Sequence, residues 1–251
     1  FRPDVEIPDL AGFVPGAITQ RNYTFVHPET RRQRTRVFPT PDKKDTAAEL
    51  AYVLSVQGPV LVFCTQPGFA EAVCKALLNE AIEYRRLIGE PTHPHFAPGQ
   101  VTRSSELARE WLGDAHIATR ALSAGIALHH GRLPDMVREA IEADCRANRY
   151  RVIIATNTLA QGVNLPVKTV IIHSTWRGDD EGERSRIPVR DYWNIVGRAG
   201  RAGLETEGLI VHITLGDQDK RDFSHFGSYQ NIEPVEGALF RLLEGLISKR
   251  L

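Results

Sequence analysis

The sequence predicts an α/β fold: a doubly wound, mostly parallel sheet with helices on both faces. Three observations predict it. Five short apolar runs recur along the chain, helical patterns fall between most of them, and 251 residues suffice to bury such a core. The runs are Val60–Phe63, Ile126–Leu128, Val152–Ala155, Val170–Ile172 and Leu209–Ile213. None alternates apolar with polar residues, the pattern of strands covered on both faces.

In chain order, residues 1–45 are rich in Pro, Arg and Thr and read as a linker or edge hairpin, with short strands at Tyr23–Val26 and Thr35–Phe38. The first run is followed by a helix over Phe69–Leu78, which places Ala70, Val73, Ala76 and Leu77 on one side. Residues 88–100 form a Pro-rich loop. Helical patterns then cover Ser104–Ser123 and Pro134–Ala147, with Pro134 suited to a first turn. A further helix is predicted over Val189–Arg201. Residues 216–251 end in a helix whose stripe of Val235, Leu239, Leu242, Leu243, Leu246 and Ile247 needs a surface to cover it. The expected organisation is a leading segment (1–45), a sheet domain (46–215) and a helical extension (216–251). The chain opens on Phe1, as expected of a piece of a longer protein.

Bulk composition narrows the function. Lys+Arg and Asp+Glu both number 31, so an overall basic coat is excluded while a local phosphate track is not. Cys64, Cys74 and Cys145 are an odd set without metal-type spacing, which predicts a reduced, cytoplasmic setting. No apolar run reaches the roughly 18 residues of a membrane span. His129 and His130, as strand neighbours, point to opposite faces and do not share a metal. No metal site is expected.

The most informative stretch is Asn194–Arg201, which contains Gly197-Arg198-Ala199-Gly200-Arg201. On a helix, Arg198 and Arg201 share a face. Two glycines in one helical turn cost about 1 kcal/mol each relative to alanine, so another surface or a ligand must approach them closely. Paired guanidiniums suit a polyphosphate, because the planar fork bonds phosphate oxygens bidentately.

Four segments in order carry a resemblance. Val60–Thr65 followed by a helix resembles helicase motif IV. Gly125–Leu133 resembles the strand and turn after it. Ile154–Pro166, with Gly162-Val163-Asn164-Leu165-Pro166, resembles motif V, and Asp191–Arg201 resembles motif VI. Together they resemble the second, C-terminal RecA-like lobe of superfamily 2 helicases, in the Ski-like branch related to DEAD/DEAH-box proteins, over about residues 45–215. The P-loop (Gly-x-x-x-x-Gly-Lys-Ser/Thr) and a strand-ending Asp-Glu pair are missing; in this family both belong to the first lobe. Asp114-Ala115-His116 lacks the glutamate and lies in a predicted helix.

The resemblance implies half of an ATP-dependent helicase, unable to hydrolyse ATP alone, with Mg²⁺ held mainly by the N-terminal lobe. It implies that Arg198 and Arg201 act as arginine fingers on the β- and γ-phosphates. It places Asn194 where the family usually has Gln, one methylene short of the γ-phosphate. Gly162, Asn164 and Gly197 would line the ATP site, although Gly and Asn also suit a plain turn after a strand. Thr65, Thr156 and Gly131, just past strand ends, would bond the backbone of single-stranded DNA or RNA, or in the threonines' case serve as local caps. The rival reading is a helicase-fold module that has lost catalysis and only binds nucleic acid or protein.

Overall fold

The structure, a computed structural model, describes residues 16–26, 30–79, 101–157, 167–178, 184–200 and 207–232. The elements, numbered here in chain order, begin with strands β1 (Arg21–Val26) and β2 (Gln33–Phe38), helix α1 (Lys43–Leu54), strand β3 (Val60–Phe63) and helix α2 (Pro67–Ala76). Next come α3 (Arg103–Leu112), α4 (Ile117–Ser123), β4 (Ile126–His129), α5 (Asp135–Arg146), β5 (Val152–Ala155) and β6 (Thr169–Ile172). The last are β7 (Trp176–Gly178), β8 (Arg184–Arg186), α6 (Val189–Val196), β9 (Leu209–His212) and α7 (Asp217–Phe226).

All five apolar runs are strands of one sheet, ordered β4-β5-β3-β6-β9 and parallel throughout. The expected α/β architecture is therefore the one observed. Strands β3, β4, β5 and β6 are buried along their whole length, which is why their sequences carry no polar alternation. Edge strand β9 is only partly covered. The core gathers Val62, Phe63, Leu128, Ile154 and Ile171 of the sheet with Leu77, Leu122 and Ile141 of the helices. Among the described residues no helix is long and apolar enough to cross a membrane.

The two leading strands form an antiparallel hairpin outside the main sheet, with Thr24 opposite Thr35. It is fastened to α1 by buried Glu49, which pairs with Arg36 and accepts hydrogen bonds from the Thr40 backbone N–H (2.8 Å) and hydroxyl (2.7 Å).

Three expectations are corrected. The helix expected over Ser104–Ser123 is two helices. The first starts at a capping box, in which the Thr102 hydroxyl accepts from the Ser105 N–H and Ser105 answers, and stops where Gly113 takes φ +82°. Asp114–His116 therefore lie in a break, where His116 caps α4 through its ring nitrogen. Pro134 is the N-cap residue of α5 rather than part of its first turn. The helix expected over Val189–Arg201 ends at Val196, so Gly197, Arg198 and Gly200 sit in a turn and not on a helix face. The Pro-rich loop 88–100, the apolar stripe 235–247, Gly162, Asn164 and Arg201 lie outside the described residues.

Candidate nucleotide and nucleic-acid interface

In an open α/β sheet, ligands collect outside the carboxyl ends of the strands. The structure brings Thr65, Gly131 and Thr156 to that edge, just past β3, β4 and β5, which are neighbours in the sheet. Only Gly131 is exposed. The Thr156 N–H donates to the His129 carbonyl (3.1 Å). Thr65 is 8% exposed: its hydroxyl donates to the Trp176 carbonyl (2.6 Å) and shares a hydrogen bond with the Ser174 hydroxyl (2.9 Å). Beside it, the Gln66 side-chain amide donates to the Gly178 carbonyl (3.1 Å). Thr65 and Gln66 thus seat the antiparallel pair β7–β8 on the carboxyl edge.

The adjacent imidazoles at the end of β4 diverge as strand geometry requires. His129 Nε2 lies 3.1 Å from Glu142 on α5, and His130 Nε2 lies 3.4 Å from Glu71 on α2. Burial, then the charges of His129, Arg132 and His116, hold His130 down to about 4. Burial does the same to His173 and His212, both held to about 4. These imidazoles are neutral core groups at neutral pH. The cysteine thiols are buried and pushed up, Cys74 to about 12, so none is a ready nucleophile. Among the described residues no group of three or more His, Cys, Asp or Glu is placed to hold a metal.

The arginine turn is built by backbone. Gly197 caps α6, the Arg198 N–H returns to the Ile195 carbonyl (3.2 Å), and Ala199 bridges to Val167. Gly200 has φ +76° and donates to the Val167 carbonyl (2.9 Å). A Cβ on Gly200 would meet Gly208 N at 2.9 Å, and one on Gly208 would meet Ala199 C and Gly200 N at 2.5 Å. The close approach inferred at Gly200 is therefore answered by the chain's own backbone, at a left-handed residue in a turn. Arg198 is half-buried and Asn194 is exposed. Val167 precedes β6, so this turn lies near the amino edge of the sheet, roughly 20 Å along the strands from the level of Thr65. The expected phosphate-facing arginine and the expected strand-binding residues occupy opposite ends of the sheet.

Two aspartates brace these parts, and both escaped sequence reading. Asp222 on α7 is 1% exposed. Its carboxylate accepts from Trp176 Nε1 (2.6 Å), the Thr175 hydroxyl (3.2 Å), Arg186 Nε (3.0 Å) and Gln218 Nε2 (2.9 Å). Arg186 also lies over the Trp176 ring at 5.1 Å. The available signal was a carboxylate one turn before Phe226, on the buried face of an amphipathic helix. Asp191, in the first turn of α6, meets Asn157 Nδ2 at 3.5 Å and Arg177 Nη2 at 3.6 Å through one oxygen. Asn157 follows β5 and Arg177 belongs to β7, so Asp191 joins the motif V and motif VI segments to the hairpin of β7 and β8. Val167, just past the motif V segment, bridges to Ala199 of the motif VI segment.

Comparison with known proteins follows the same lines. Residues 100–203 match the helicase conserved C-terminal domain. The chain is similar to the Hachiman protein HamB of Bacillus cereus, 33% identical over 228 residues, 86% of this chain and 19% of that protein. It is similar to the ATP-dependent DNA helicase Hel308 of Caldivirga maquilingensis, 32% identical over 169 residues, 66% of this chain and 21% of that protein. It is also similar to the antiviral helicase SKI2 of Saccharomyces cerevisiae, 41% identical over 96 residues, 38% of this chain and 7% of that protein. The chain spans about a fifth or less of the length of these relatives.

Proposed function

From the premise that this chain belongs to the superfamily 2 helicases, as their C-terminal RecA-like lobe, we propose that it is one half of an ATP-driven motor working on a nucleic-acid strand. In this reading a first lobe of the same parent chain cradles MgATP. This lobe presents Arg198 and Arg201 to the β- and γ-phosphates, with Asn194 beside them and Gly162, Asn164 and Gly197 lining the nucleotide. As the γ-phosphoryl leaves, charge grows on its oxygens and a fixed guanidinium stabilises it. The observation that carries the reading is the arginine turn: Gly197, Ala199 and Gly200 are fixed to α6, Val167 and Gly208, so Arg198 is held on a rigid backbone. That fit suits a triphosphate, which rewards positioned charge rather than covalent chemistry. MgATP supplies the transferable phosphoryl group and the metal that neutralises it.

The carboxyl edge serves the other substrate. Gly131 offers exposed backbone beside β4, while Thr65 and Thr156 shape the rim. Contacts of this kind grip a single strand without reading its sequence. Cleft closure on ATP and reopening on product release would move the two lobes along it.

The test uses the full-length parent. Arg198→Ala is expected to lower the turnover number for phosphate release by about a thousandfold while ATP affinity changes little. The lobe alone is expected to release no phosphate. Unchanged turnover in the variant, or turnover by the isolated lobe that Arg198→Ala abolishes, overturns the reading.

A further inference from the structure

The strand-binding edge and the arginine turn lie at opposite ends of the sheet, yet a motor needs each to sense the other. A closed set of braces spans that gap. Thr65 and Gln66, at the edge, hold the carbonyls of Trp176 and Gly178 in β7. The hairpin is fixed to α7 by Asp222, through Trp176 and Arg186. Helix α7 is fixed to α6 by Phe226 stacked on Tyr192, ring centroids 4.8 Å apart at 23°. Helix α6 closes the triangle back to the hairpin through Asp191 and Arg177. Arg198 stands two residues beyond the end of α6, about 10 Å along the axis from Asp191.

The three sides differ in quality. The Asp222 side is fully engaged and the aromatic side is buried. The Asp191 side is slack: its contacts measure 3.5 and 3.6 Å, while Arg177 Nη2 and Asn157 Oδ1 are buried without a hydrogen-bond partner among the described residues. A slack joint between two firmly mounted bodies is where a displacement is taken up at least cost, so that two arrangements stay within reach.

We propose that Asp191 is a positioning residue, joined to Arg177 and Asn157, that transmits strand occupancy at the carboxyl edge to the orientation of Arg198. This rests on the motor reading above. A strand seated at the carboxyl edge beside Thr65 shifts the hairpin, Arg177 tightens on Asp191, and α6 carries Arg198 into line with the nucleotide. Asp191 touches neither substrate; it acts through the helix.

The experiment uses the intact parent protein, with oligo-dT and oligo-U as probes. Phosphate release is measured without oligonucleotide and at saturation, alongside oligonucleotide affinity and thermal unfolding. Asp191→Asn and Arg177→Gln are each expected to keep basal turnover and affinity while lowering stimulated turnover on the order of five- to tenfold. The double variant is expected to be no worse than either single one, and Arg177→Lys to recover most of the stimulation. Should Asp191→Asn fail to fold, Arg177→Gln carries the test, because that side chain is 39% exposed. Basal and stimulated turnover falling together, additive losses in the double variant, or stimulation untouched in folded variants overturns the proposal. Stimulation that survives Arg198→Ala counts instead against the motor reading.

Discussion

Asp222 and Asp191 sit on neighbouring helices and hold the same hairpin, but one is a rivet and the other a loose pin. Asp222 is buried and takes four donors within 3.2 Å. Asp191 is 20% exposed and, among the described residues, has two donors at or beyond 3.5 Å. A buried carboxylate is tolerated only when its lone pairs are used, and Asp222 meets that demand. Asp191, wetter and less constrained, has less to lose from imperfect geometry. Stability is thus concentrated where the hairpin meets α7, and freedom is kept where it meets the helix leading to Arg198.

The largest expected effect breaks the rivet. Asp222→Ala takes the acceptor from buried Thr175 and half-buried Trp176, while exposed Arg186 and Gln218 turn to water, and is expected to cost about 1–3 kcal/mol in denaturant unfolding. A cost below that of Asp191→Ala removes the contrast. Acid comes next. His173 and His212 lie near the Lys43–Asp219 ion pair, and Asp222 also bears on His212. Both imidazoles are held to about 4, below the unfolded value of 6.5, so the unfolded chain takes up protons first. Their contribution is complete above pH 6.5 and is lost as pH falls towards 4. The melting temperature is expected to drop across that window, more steeply than in a chain with His173→Gln; a flat profile breaks the assignment. The smallest effect is Asp191→Ala, expected to cost less than about 1 kcal/mol, as for a partly exposed ion pair. A loss as large as that of Asp222→Ala makes the loose pin a second rivet.

The strands were legible because each is a short run dominated by Val, Ile and Leu, and four of the five are buried on both faces. The break at Gly113 was not, since a glycine inside an amphipathic pattern is equally compatible with a costly helix interior; only its φ of +82° decides. The same ambiguity misplaced Gly197 and Gly200; the neighbour that fixes Gly200, Val167, lies more than thirty positions earlier. At the site, the carboxyl-edge residues were found from their places after strands. Thr65's partnership with Ser174 and Trp176 was not, because those residues come more than a hundred positions later. Asp222 gathers Thr175, Trp176, Arg186 and Gln218 from three elements, and no spacing rule anticipates such a set.

The contact between Gly200 and Gly208 has a consequence for mutagenesis. Position 208 carries no charge, belongs to none of the recognisable motifs and opens an edge strand. A methyl group there would press on the peptide plane joining residues 199 and 200, one residue beyond Arg198. A survey of activity confined to polar and charged positions would pass over it, although it bears on the backbone that carries Arg198.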